Sequence, residues 1–107
     1  MSRLSDVIAR LEAVIESRKG GNPSTSWTAR LLADPDLAGA KLIEEAAEAV
    51  EAAASGDRDH LAAEAADVLY HLLALLAAAG VSPDDVAAKL EAREGTSGIA
   101  EKASRDT

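Results

Sequence analysis

Apolar residues recur every three or four positions at the start of the chain. Leu4, Val7, Ile8, Leu11, Val14 and Ile15 follow this period, which predicts an amphipathic helix over residues 4–18. Ser2 or Ser5 is placed to cap it. The stretch Lys19-Gly20-Gly21-Asn22-Pro23-Ser24-Thr25-Ser26 breaks the pattern and reads as a loop. A short helix follows over 27–33, with Ser26 as its cap. Asp34-Pro35 ends that helix and starts the next, because Asp caps and Pro suits the first helical position. This third helix runs to about residue 54. Ser55-Gly56-Asp57 turns the chain, and a fourth helix extends from there to about residue 79, before Gly80. Its early turns are amphipathic, whereas its later turns are apolar nearly all round, a pattern that calls for burial in a bundle or a dimer core. Ser82-Pro83-Asp84-Asp85 has the form of a capping box, and a last helix over 83–93 carries Val86 and Leu90. From Gly95 onward the residues are small and polar. The expectation is one all-α domain over 1–94, an antiparallel bundle of four main helices and a short one, followed by a mobile tail over 95–107.

Composition sharpens this picture. The 107 residues include 25 Ala and 13 Leu but no Phe, and the aromatics are Trp27 and Tyr70 alone. Alanine and leucine are strong helix formers, whereas strands favour β-branched and aromatic residues. A chain of this length buries only about two-thirds of its unfolded surface, and alanine adds little area per residue. A second copy of the chain is therefore expected to complete the bundle. No cysteine is present, so disulfides and thiolate metal sites are excluded. Together with the absence of a signal-peptide pattern, this points to the cytoplasm. The longest apolar run, Val68 to Ala79, has 12 residues and is too short to cross a bilayer.

Charge is unevenly spread. The formal net charge is -8, and eight carboxylates with one base, Arg58, lie between Glu44 and Asp67. That balance disfavours duplex nucleic acid as a partner, because phosphate contacts need clustered Lys and Arg. At about 100° per residue, Lys41, Glu44, Glu45, Glu48 and Glu51 share one arc of the third helix, with Leu42, Ile43, Ala46, Val50 and Ala53 opposite. Glu45-x-x-Glu48 and Glu64-x-x-Asp67 place carboxylate pairs on two helices joined by a short turn, so the helices should be antiparallel neighbours. Glu48 and Glu64 stand equally far from Gly56. So do Glu45 and Asp67, and so do Lys41 and His71. The pairs should therefore face one another. Carboxylates gathered in a partly dry groove need raised pKa values or bound cations. All-oxygen ligands suit Mg²⁺ or Mn²⁺. A di-iron centre would call for Glu-x-x-His pairs, which neither pair provides. A solvated acidic face is the alternative.

These residues resemble a known family. Glu-x-x-Glu followed after 15 residues by Glu-x-x-Asp is similar to the metal signature of the all-α nucleoside-triphosphate pyrophosphatases. Ser26-Trp27-Thr28-Ala29-Arg30-Leu31-Leu32, the Glu64–Leu73 segment with Leu69-Tyr70-His71-Leu72-Leu73, and Gly80-Val81-Ser82 narrow the resemblance to the phosphoribosyl-ATP pyrophosphohydrolases of histidine biosynthesis. It covers residues 4–93. Members often carry Tyr at the place of Trp27 and Lys at that of Arg30; both swaps keep an aromatic and a cation. The resemblance implies a cytoplasmic, Mg²⁺-dependent homodimer that hydrolyses phosphoribosyl-ATP to phosphoribosyl-AMP and pyrophosphate. It further implies Glu45, Glu48, Glu64 and Asp67 as metal ligands, and Glu44 and Glu48 as catalytic carboxylates, with Glu44 a fifth ligand or the general base. Lys41 could reach a phosphate or simply pair with Glu45. His71 could orient a ligand, bind phosphate, or be a bonded residue at the core boundary. Trp27 and Arg30 could hold the adenine or the ribose phosphate, or anchor the short helix. In the tail, Ser97, Gly98, Lys102 and Arg105 could close over the anionic substrate. Two other readings stay open: a housecleaning pyrophosphatase acting on another nucleotide, and a non-enzymatic acidic dimerisation module.

Overall fold

A computed structural model describes residues 2–95, 99 and 102. The described residues form five helices and no strand: α1 (Arg3–Ser17), α2 (Trp27–Ala33), α3 (Pro35–Ser55), α4 (Arg58–Ala78) and α5 (Pro83–Ala92). Each bound lies within a residue or so of the expected one, because each helix carries its own start signal. Ser2, Ser26, Asp34, Asp57 and Ser82 all accept a backbone N–H of the first turn through their side chains. Ser82 and Asp85 complete the reciprocal capping box. Of the two candidates for the first cap, Ser2 takes the role.

The joint between α3 and α4 matters most for function. Gly56 sits at φ 77°, the left-handed region that only glycine adopts without strain. It lets the Gly56 N–H reach Ala53 O and the Asp57 N–H reach Ala52 O, both at 3.2 Å, which satisfies two end carbonyls of α3. Asp57 then caps α4, accepting from the His60 N–H at 3.0 Å. Two residues thus stop one helix and start the next, leaving little freedom in how α3 and α4 align.

The core is small. Leu31 from α2, Ala38 from α3 and Ala74 from α4 are fully buried together, with Leu37, Tyr70 and Leu75 packed around them. Contact between Ala38 and Ala74 fits the register set at Gly56, since both lie equally far from it. α4 is the central helix, touching α1, α2 and α3, with α3 as its main partner. Thr28 and Tyr70 share a 2.6 Å hydroxyl hydrogen bond that ties α2 to α4. The buried line of α3 is Ala38, Glu45 and Ala52, spaced by seven. That spacing is a coiled-coil seam with a carboxylate at its centre.

Ile43 and Val50, on the apolar side of α3 opposite the acidic arc, are 73 % and 69 % exposed in the single chain. The alanine seam packs on α4 because small side chains let the helix backbones approach closely. The larger apolar residues are left outside. α4 as a whole is long and apolar enough, by length and composition, to cross a membrane, with mean hydropathy 1.6. The 12-residue run understates this, because Ala62, Ala63, Ala65 and Ala66 extend the apolar stretch. Of the tail, Ile99 and Lys102 are described and exposed; Ser97, Gly98 and Arg105 lie outside the described residues.

Leu31 is the largest fully buried side chain. Leu31→Ala should lower the unfolding free energy by about 2–5 kcal/mol. Chemical denaturation checks this, and a loss under about 1 kcal/mol would show that the Ala38–Ala74 contact closes over the space.

Candidate metal centre

The α3–α4 seam brings three of the expected ligands together. Glu45, Glu48 and Glu64 each place a carboxylate oxygen so that all three lie within 4.8 Å of one another. Glu45 contributes from the seam itself and is only 9 % exposed. Glu48 follows one turn on, half-buried, and Glu64 faces both from α4 with 12 % of its side chain exposed. Alanines at positions 46, 47, 49, 65 and 66 leave room around the acids.

Three oxygens this close, each bearing negative charge, repel unless something compensates. The protein supplies only part of it. The Glu45 carboxyl is held above its ordinary range. The largest cause is the nearby Glu64 carboxyl, which favours a proton on Glu45; burial comes next, then the charges of Asp67 and Glu64, while Glu48 opposes them. Lys41 contributes positive charge from one turn away. Its Nζ lies 3.1 Å from Glu44 Oε2 and 3.9 Å from Glu45 Oε1. Its pKa is raised first by the bond to Glu44, and then by the charges of Glu44, Glu45 and Glu48 against an opposing cost of burial. The Glu64 Oε2 atom is buried without a hydrogen-bond donor, although buried carboxylate oxygens are normally bonded. An orphaned Glu64 oxygen and two further converging carboxylates form a donor set suited to a hard divalent cation.

The other expected residues take different places. Asp67 is exposed; it acts on Glu45 through charge but is not one of the three converging ligands. Glu44 is exposed and held by Lys41. His71 is 5 % exposed. Its Nδ1–H donates to the Asp67 carbonyl at 2.8 Å, its ring meets Tyr70 edge-on, and its Nε2 is enclosed without a partner. Trp27 and Arg30 are both exposed on α2. The guanidinium lies 5.9 Å from the indole centroid, and Arg30 Nε–H donates to Pro23 O at 3.1 Å. Lys102 is exposed, and Arg105 is outside the described residues.

One neighbour went unrecognised in the sequence. His60 Nε2 lies 3.1 Å from Glu64 Oε1. Its i, i+4 spacing to Glu64 was the legible signal, hidden among the surrounding acids. His60, Glu48, Glu51, Ala52 and Ser55 line an open hollow at the turn end of the cluster. A separate hollow between α1 and the α4–α5 corner is lined by apolar residues such as Ile15, Leu73 and Val81 together with Glu12, Glu16 and Lys19. It is the better enclosed of the two, but it lies apart from the converging carboxylates.

Fold and site together define a class: a small all-α protein with a cluster of carboxylates, suited to a divalent cation, between two antiparallel helices. Residues 8–94 match the family model described as phosphoribosyl-ATP pyrophosphohydrolase. A phosphoribosyl-ATP pyrophosphatase of Caulobacter vibrioides (strain NA1000 / CB15N) is 69 % identical over 103 residues, covering 96 % of each chain. Proteins of the same name from Caulobacter sp. (strain K31) and Cereibacter sphaeroides (strain KD131 / KCTC 12085) are 61 % and 60 % identical, covering 98 % and 92 % of this chain and 98 % and 97 % of their own. The chain belongs to the phosphoribosyl-ATP pyrophosphohydrolase family.

A carboxyl with a raised pKa binds its proton more tightly in the folded state. Its stabilising contribution is therefore complete below the ordinary carboxyl range and is lost as pH rises through the raised value. In metal-free buffer, Glu45→Gln should match wild type in thermal stability near pH 4 and exceed it progressively from about pH 4.5 upward. A saturating divalent cation should stabilise wild type more than the variant. Parallel melting curves at every pH would contradict the raised pKa of Glu45.

Proposed function

We propose that this protein hydrolyses phosphoribosyl-ATP to phosphoribosyl-AMP and pyrophosphate, the second step of histidine biosynthesis, with Mg²⁺ as its cofactor and Mn²⁺ as a substitute. The observation that carries the reading is the convergence of Glu45, Glu48 and Glu64, with one buried Glu64 oxygen left without a donor, in a chain whose relatives bear that enzyme's name. Glu45, Glu48 and Glu64 hold the cation, and Asp67 joins them from the rim by a change of rotamer. A bound divalent ion neutralises polyphosphate charge and lowers the pKa of a water.

The chain's own residues supply the rest. Glu48 sits where the cluster meets the open hollow and aligns the attacking water. Glu44, exposed beside the cluster, accepts its proton once Lys41 turns to the phosphates. The water oxygen ends on phosphorus, the α–β anhydride bond breaks, and pyrophosphate leaves. Lys41 is the nearest cation to the acids and meets the phosphate oxygens. Trp27 and Arg30 offer an aromatic face beside a guanidinium for the adenine and the ribose phosphate. His71, enclosed but bonded to the Asp67 carbonyl, holds the backbone from which Asp67 reaches the substrate complex. Lys102 and Arg105 of the tail close over the anion. Residues 1–94 form the catalytic domain.

The same reading makes the enzyme a cytoplasmic homodimer that needs neither membrane nor nucleic acid. Glu64 and Asp67 lie near the middle of α4, where a hydrocarbon environment would penalise them. The exposed Ile43, Val50 and Leu72 instead suit the face of a second copy. Light scattering in detergent-free buffer should give twice the 11.0 kDa of the chain; a monomer would rule out the dimer.

Pyrophosphate release should be faster from phosphoribosyl-ATP than from any of a panel of free nucleoside triphosphates. It should also stop on removal of divalent cations. Glu48→Gln should lower turnover on the order of 10²–10³-fold, the equivalent of several kcal/mol of lost charge stabilisation, with the helical content unchanged. Equal turnover of free triphosphates would favour a housecleaning pyrophosphatase instead.

A further inference from the structure

His60 lies outside the converging carboxylates, yet it is bonded to one of them. We infer that His60 is a positioning residue for the cation centre: it fixes Glu64 through Oε1 so that Oε2 is presented to the ion. The inference rests on the cation reading of the cluster given above.

The two oxygens of Glu64 have opposite surroundings. Oε1 receives the His60 Nε2–H at 3.1 Å, while Oε2 is enclosed and has no donor. A carboxylate accepts at both oxygens, so the contact with His60 requires the imidazole to donate from Nε2, which it does whether neutral or protonated. The side chain of His60 is 54 % exposed and that of Glu64 12 %, so the donor stands nearer to solvent than the carboxylate it holds. That order, solvent-side donor, carboxylate, ion, is the arrangement in which an outer partner orients a ligand.

His60 is itself held. Its backbone N–H donates to the capping carboxylate of Asp57 at 3.0 Å, placing it in the first turn of α4. From there its side chain reaches one turn along the same face to Glu64. The Gly56-Asp57 turn therefore governs this contact as well as the meeting of Glu48 with Glu64. A glutamate has three rotatable bonds, and free rotation would let Glu64 swing toward water. The hydrogen bond from His60 limits that freedom before any cation arrives, so less order must be imposed on binding. Glu45 is held instead by burial in the alanine seam, with Lys41 Nζ 3.9 Å from its Oε1.

The test measures cation binding to the full-length protein without substrate, using Mn²⁺ and Mg²⁺ as probes by calorimetry, and Mn²⁺ also by electron paramagnetic resonance. His60→Ala should weaken binding about 10-fold or more, with the melting temperature of the metal-free protein nearly unchanged because the site is exposed. His60→Gln keeps an N–H donor of similar reach and should restore affinity to within about threefold. The ¹⁵N signals of His60 in the metal-free protein should report a protonated Nε2. Unchanged affinity in His60→Ala overturns the inference while leaving the cation centre standing. A loss that His60→Gln fails to restore overturns it too, and would make His60 a direct nitrogen ligand. Wild-type protein that binds neither cation overturns the reading of the centre itself, and this inference with it.

Discussion

The alignment of α3 with α4 is the constraint on which everything else depends. Gly56 in the left-handed region and Asp57 as the following cap join the helices with almost no slack. Because an α-helix advances about 1.5 Å per residue, a slip of one residue at this joint would carry Glu48 and Glu64 past each other and rotate their side chains apart. Alanine makes the alignment tight as well as unique. Ala38 and Ala74 meet in the core, and Ala52 closes the seam near the turn. Backbones that approach this closely leave a carboxylate at position 45 no way out to solvent.

That close approach has an electrostatic consequence. Glu45 is buried where two other carboxylates converge, and its proton affinity rises. A hydrophobic residue at position 45 would fit the seam without repulsion and stabilise the apo protein. The repulsion arises among the carboxylates themselves, and a divalent cation would relieve it. The same physics explains the distribution of the other charges. Lys41 stays beside Glu44 and Glu45, where it offsets part of the charge without entering the seam. The net charge of -8 is therefore less a property of the whole surface than of one groove.

A core built from alanine leaves the single chain thinly packed. Leu31 is its only large, fully buried side chain among the described residues. Ile43 and Val50 lie outside, α5 buries nothing, and α4 carries more apolar surface than α1, α2 and α3 cover. The chain concentrates its small residues on the inner face and leaves larger apolar ones outside. The hydropathy of α4 arises from the same arrangement.

The sequence by itself determined the helices and the pairing of acids. Each start signal is local, a side chain capping its own first turn, so Ser26, Asp34, Asp57 and Ser82 could be read directly. Helical period and turn length were enough to set Glu45 and Glu48 against Glu64 and Asp67. What only the tertiary structure decided was depth and direction. Four carboxylates looked equivalent along the chain, but Glu45 is buried, Glu48 and Glu64 line the cluster, and Asp67 stands at its rim. Rotation of each helix about its axis makes that distinction, and packing of the Ala38–Glu45–Ala52 seam sets the rotation. The same rotation enclosed His71 and turned Ile43 outward. His60 escaped notice because its contact depends on which way the Glu64 carboxylate faces. Spacing fixes which residues are neighbours, while burial and rotamer decide what each one does.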